Sequence, residues 1–182
     1  KNNSRATLTS IDDKQYLVYI NYYAFSLSLH RYNNDMLAPL PDKRITDFIK
    51  KHHVMTLATS NNSQPWCCNC FYAYMEDVNG VVFTSDNHTR HVQEFLVNPI
   101  VSASIVLETK IVGMIQGIQM SGVVSQPEGD LLKKCLSRYL HRFPYAVLME
   151  TTLWLLEPYY IKMTDNRLGF GKKLIWEKDA EG

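Results

Sequence analysis

The sequence predicts an α+β fold, an antiparallel β-barrel with helices on its periphery, from three observations. Apolar, β-branched runs recur between turn signals. Helical periodicity is confined to a few short segments. One long extended segment carries glycines at 113, 117 and 122, as bends or bulges in a curled sheet would require. Composition agrees: 182 residues, 46% hydrophobic and 20% charged, suit one globular domain that buries its core without disulfide or metal staples, and exclude collagen and wholesale disorder.

Pro39 and Pro41 end a lead-in, Asp42 is placed to cap a helix, and Ile45, Phe48 and Ile49 follow at helical spacing up to His52 and His53. Val54 to Ser60 is apolar and β-branched, Asn61-Asn62-Ser63 reads as a turn, and Trp66 to Met75 resumes the extended pattern, so the pair predicts a hairpin. Asp77 to Gly80 turns the chain into a third strand, Val81 to Thr84. A helix is expected from Asn87 onward, with His91, Phe95 and Leu96 on one face and Pro99 beyond its end. Ile100 to Leu107 and Ile111 to about Val124 are the next strands. Pro127-Glu128-Gly129-Asp130 opens a helix to Tyr139, and Trp154 to Met163 is the last strand expected.

Residues 1–35 differ in composition, holding five of the 11 tyrosines. The apolar run from Tyr16 to Leu29 is too short to span a bilayer, and Asp12 and Asp13 stand where a signal peptide needs positive charge. Two readings stay open: a packed strand pair or helix, or an N-terminal extension joined to a domain of residues 36–182 that starts at Met36. Nineteen Lys and Arg against 18 Asp and Glu leave a net charge of +1, so neither nucleic acid nor a membrane surface is an expected partner, and any anion site must be local. Of four cysteines, three crowd at Cys67, Cys68 and Cys70, unlike a secreted disulfide framework; a reducing, cytoplasmic setting is expected.

Three clusters can carry chemistry. In the stretch from Phe83 to His91 a strand ends in the hydroxyls of Thr84 and Ser85, a polar turn follows, and a helix begins with Thr89, Arg90 and His91. Hydroxyls, helix N-terminal amides and a guanidinium together can hold a phosphate, whereas plain capping by Asn87 or Thr89 with Arg90 in solvent is the structural alternative. The second, Trp66-Cys67-Cys68-Asn69-Cys70 with His88 and His91, invites zinc. No Cys-x-x-Cys pair is present, however, and in a strand Cys68 and Cys70 share a face while Cys67 points away, so no metal is expected. The third, Lys162 to Trp176, has two glycines that fit neither the dinucleotide fingerprint nor the P-loop; a mobile turn and a folded tail are both compatible with it. His141-Arg142-Phe143-Pro144 ends a helix, where cations complement its dipole.

The stretch from Ile45 to Trp176 resembles the YhbP family of small bacterial proteins, related to the pyridoxamine 5'-phosphate oxidase-like split barrels. The resemblance lies in Trp66-Cys67-x-Asn69-x-Phe71-Tyr72, Thr89-Arg90-His91, Gly117-Ile118-Gln119 with Gly122, Arg142-Phe143-Pro144, Thr164-Asp165-Asn166, Leu168-Gly169-Phe170-Gly171-Lys172-Lys173 and Ile175-Trp176. It implies a six-stranded antiparallel split β-barrel with peripheral helices that forms a homodimer and, in the wider superfamily, binds FMN at the subunit interface. On that resemblance the flavin phosphate meets Thr84, Ser85, Thr89 and Arg90, with His91 beside it. Cys68, Asn69 and Cys70 pass near the ring, and Gln119 and Trp176 reach the flavin of the other subunit. The oxidases' cationic strand motif is replaced here by Cys67-Cys68-Asn69-Cys70-Phe71, and a phosphate-binding lysine by His91. The function expected is therefore an FMN-dependent oxidoreductase acting on a small molecule of unidentified class, and not a true pyridoxamine phosphate oxidase. A non-enzymatic ligand-binding or dimeric assembly protein on the same barrel is the alternative.

Overall fold

The computed structural model describes residues 40–148, 151–169 and 172–178. The tyrosine-rich segment, the expected start at Met36, and Phe170 and Gly171 of the third cluster lie outside the described residues. In chain order the elements are α1 (Lys43–Lys51), β1 (Val54–Asn61), β2 (Gln64–Met75), β3 (Gly80–Ser85), α2 (Arg90–Val97), β4 (Ile100–Val106), β5 (Gln116–Ser125), α3 (Gly129–Arg142), β6 (Thr152–Asp165) and β7 (Lys173–Glu177).

All strand pairs are antiparallel, in the order β3-β2-β1-β4-β5-β6, and β6 returns to pair with β3, closing a six-stranded barrel. Closure leaves neither β3 nor β6 with a bare edge along the paired segment. The length of β6 permits this. Its first residues pair with β3, from Ser85↔Thr152 to Val81↔Leu156, and its distal half takes β7, from Tyr160↔Glu177 to Thr164↔Lys173.

Alternation along the strands sorts residues into two cores. Val81 and Phe83 of β3 point into the barrel with Met55, Leu57, Cys70, Tyr72, Ile105, Ile118 and Ile161, and α1 and α2 add Ile45, Ile49, Val92 and Phe95 to the same cluster. Val82 faces the other way, packing with Ala73, Leu153 and Leu155 against Cys135 and Tyr139 of α3. Asp42 caps α1 as expected, its carboxylate accepting from the Arg44 backbone N–H at 2.8 Å. Asn62 and Ser63, both at positive φ, make the two-residue turn between β1 and β2. Of the three glycines expected to mark bends or bulges, Gly122 sits at a register shift in the β5–β6 pairing, whereas Gly117 pairs in regular register and Gly113 lies before the strand.

Several boundaries differ from expectation. β5 begins at Gln116 rather than Ile111, because Val112–Met114 forms a 3-10 turn in which the Ile111 carbonyl accepts from the Met114 N–H. The helix expected from Asn87 begins at Arg90: the Asp86 carboxylate takes the His88 N–H and its carbonyl the Thr89 N–H, so these residues form a turn first. On α2 the covered residues are Val92, Glu94 and Phe95, whereas Leu96 is exposed. α3 extends to Arg142, and the folded-tail reading of the third cluster holds, since Lys173–Glu177 adds a seventh strand. Among the described residues, no helix is long and apolar enough to cross a membrane.

Candidate functional site

The end of β3 and the start of α2 bring several predicted residues together. Ser85 follows Phe83 in facing, so its hydroxyl meets His91 Nε2 at 2.6 Å and the Thr89 hydroxyl at 3.2 Å; Thr89 Oγ1 and His91 Nε2 are themselves 3.2 Å apart. Thr89 occupies the N-cap position of α2, yet its hydroxyl donates back to the Asp86 carbonyl and no side chain caps the first turn. The pleat turns Thr84 away from this cluster. Its hydroxyl pairs with the Tyr139 phenol at 3.1 Å, on the side of the sheet that α3 covers.

Arg90 is exposed yet engaged. Its Nε donates to Glu94 Oε1 at 2.7 Å, and its guanidinium lies over the Trp66 ring, 4.4 Å from the centroid. Glu94 is buried and also accepts from the Thr59 hydroxyl at 2.5 Å. The Thr59 bond, with Arg90 in support, holds the Glu94 carboxyl below its usual range, so a buried anion faces the guanidinium. The Arg90-to-Glu94 spacing of four was visible in the sequence; that Trp66 and Thr59 would converge on the pair was not, since both come from the hairpin.

β2 divides the second cluster by face. Cys68 and Cys70, opposite Leu57 and Met55, turn toward the barrel with their sulfurs 3.8 Å apart, whereas Cys67 is exposed on the outer face. The Cys70 hydrogen bond, and after it His91, draws the Cys68 thiol well below its ordinary range despite burial; Cys70 is pushed up by Cys68 and by burial. A ring nitrogen of His91 and the two sulfurs all lie within 4.8 Å of one another. The sequence grouped these sulfurs and imidazoles as one candidate cluster, but spacing could not decide that they converge, because an i, i+2 strand pair and a helix residue meet only through the fold.

Asn69 belongs to the outer face, accepting from the Thr56 hydroxyl at 2.9 Å. Gln119 is on that face too, lining with Thr56, Cys67, Ser104, Tyr160 and Lys162 a groove of about 280 Å³. That is just below the range of pockets that enclose a drug-sized ligand. Trp176, opposite Ile161, packs from β7 onto the barrel core. Within one chain, then, Ser85, Thr89, Arg90, His91, Cys68 and Cys70 form one neighbourhood, while Thr84, Asn69, Gln119 and Trp176 lie elsewhere.

Comparison with known proteins places this geometry. Residues 41–162 match the pyridoxamine 5'-phosphate oxidase family. A UPF0306 protein of Photorhabdus laumondii is 40% identical over 131 residues, covering 72% of this chain and 92% of that protein. Among solved structures, a heme binding protein from Mycobacterium smegmatis superposes with a TM-score of 0.64 at 18% identity, over 78% of this chain and 61% of that one. A FAD-binding protein from Mesorhizobium loti gives 0.55 at 16% identity, over 68% and 94%. At such identities the structural likeness speaks for the fold alone, and it bears out the expected split barrel. The chain belongs to the UPF0306 family, within the pyridoxamine 5'-phosphate oxidase-like split barrels.

Proposed function

We propose that the protein is an FMN-binding split barrel that works as an oxidoreductase on a small substrate. One observation carries the reading: where β3 meets α2, the Ser85 and Thr89 hydroxyls and the His91 ring gather within 3.2 Å of one another, beside a helix start that no side chain caps. That set suits a phosphomonoester, since first-turn amides, the Ser85 hydroxyl and the Thr89 hydroxyl, once turned from the Asp86 carbonyl, can donate to its oxygens and the helix dipole favours its charge. Arg90, with 47% of its side chain exposed, can add a charge-assisted contact while Trp66 supports the guanidinium from one side. Bound FMN would supply the hydride or electron chemistry. Ser85, Thr89 and Arg90 would hold and orient it, and His91, already bonded to Ser85, would keep those hydroxyls aligned. The exposed groove around Gln119 supports completion of the site by a second copy.

A second reading, a flavin-free barrel for another ligand or for assembly, is favoured by the Glu94 carboxylate that already occupies Arg90. Titration of purified protein with FMN, followed by flavin fluorescence and thermal shift, separates the two. Saturable binding is expected, and Arg90→Ala weakens it by about 1.5–3 kcal/mol. Absence of any fluorescence change or thermal shift in the wild type removes the flavin reading, and unchanged affinity in the variant removes Arg90 from the phosphate site.

A further inference from the structure

We infer that Cys68, Cys70 and His91 form a binding site for a thiophilic metal ion, zinc(II) above all, with one coordination position left to an exogenous ligand. Among the described residues they are the group whose candidate ligand atoms converge, all within 4.8 Å. The sulfur separation is the telling distance. Two thiolates each about 2.3 Å from a tetrahedral zinc stand about 3.8 Å apart, and the Cys68 and Cys70 sulfurs are 3.8 Å apart.

The surrounding structure makes the triad a preformed one. Cys68 and Cys70 share a face of β2, held in register by β1 through Leu57 and Met55. His91 comes from the first turn of α2, and the Ser85 and Thr89 hydroxyls fix its ring, the role that outer hydrogen bonds play for histidines at metal centres. Cys68 is only half-buried, which leaves a route for the ion. Two sulfurs and one imidazole select zinc or copper(I) over magnesium, calcium or manganese, and three protein ligands leave the fourth tetrahedral position to water or a small molecule. The site shares His91 and its Ser85 and Thr89 supports with the flavin reading but does not use Arg90, so Arg90→Ala separates the two.

Cobalt(II) titration of the reduced full-length protein tests it. One equivalent is expected to give visible bands of a tetrahedral ion and a thiolate charge-transfer band, both erased by equimolar zinc. Cys68→Ser and His91→Ala each weaken binding at least about tenfold, while Cys67→Ser, Cys135→Ser and Arg90→Ala bind like the wild type. Circular dichroism checks that the variants are folded, and Cys68→Ser, at a half-buried position, keeps the test informative if Cys70→Ser unfolds. No charge-transfer band in the wild type, a band that survives Cys68→Ser, or one that disappears with Cys67→Ser overturns the proposal.

Discussion

At the scale of single residues, buried carboxylates matter more than the near-zero net charge. Glu94 competes with any bound phosphate for Arg90, so Glu94→Gln is expected to tighten FMN binding by on the order of 0.5–1 kcal/mol, read by the same fluorescence titration; weaker binding would show that the carboxylate positions the guanidinium instead. Asp165, 2% exposed, accepts from Arg167 Nε, Nη2 and backbone N–H at 3.0, 2.7 and 3.0 Å and from Gln116 Nε2 at 3.1 Å. The Arg167 side-chain bonds, first among these, lower its pKa from 3.8, and Glu94 is lowered from 4.5. A group depressed in the folded state contributes stability above its unfolded pKa and loses it as pH falls through the folded one. The urea midpoint should therefore hold steady down to about pH 4.5 and fall below it. Asp165→Asn should cost about 1–3 kcal/mol at neutral pH and flatten that acid limb; a variant as acid-sensitive as the wild type would place the effect elsewhere.

At the scale of elements, what the sequence made legible was local. The Asp42 cap, the face of α1 and the β1–β2 hairpin depend on residues within a few positions of one another, and each is found where its pattern lay. What it left undecided was relational: β7 is five residues whose strand character comes from pairing with β6, and the Cys68–Cys70–His91 grouping, named from the sequence but expected to hold no metal, converges only because the fold joins a strand to a helix 21 positions on. The turn of the hairpin offers a test at this scale. Ser63 holds φ at 61°, the left-handed conformation that glycine adopts without steric cost, and it follows Asn62 at 50°. Ser63→Gly, completing an Asn-Gly turn, should stabilise the protein by roughly 0.5–1 kcal/mol in thermal denaturation. A loss of stability instead would mean that unfolded-state entropy outweighs the relieved backbone.

At the scale of the molecule, the barrel depends on β6 pairing with β5 along one edge and with β3 and then β7 along the other, and among the described glycines Gly122, at the β5–β6 seam, has least room for a side chain. A Cβ on Gly122 would meet the Glu157 carbonyl at 2.5 Å and the Pro158 Cα at 2.9 Å, whereas at Gly113 it meets nothing within 4 Å. Gly122→Ala should accordingly cost about 1–3 kcal/mol in urea denaturation, with Gly113→Ala near wild type; equal effects would deny the seam its special tightness.

Self-association is the remaining expectation of the resemblance, and the same barrel suggests which surface serves it. The end of β4 and its connection to β5 leave Val106, Ile111, Val112, Met114 and Ile115 exposed, with Val106 at 66% and Ile111 at 65%. This connection is held in place: the Asn166 side chain donates to the Val112 carbonyl at 2.8 Å and its backbone N–H to the Ile115 carbonyl at 3.0 Å. Apolar side chains presented on an anchored loop are a cost in water that a second copy can relieve. Sedimentation equilibrium at micromolar concentration should find a dimer. Ile111→Lys with Val106→Glu should weaken it at least about tenfold, or about 1.4 kcal/mol, while leaving the thermal transition of the barrel in place, because neither side chain belongs to its core. A wild type that sediments as a monomer would remove the dimer, and with it the idea that Gln119 completes the site of a partner; a double variant that stays dimeric would move the interface to another face of the barrel.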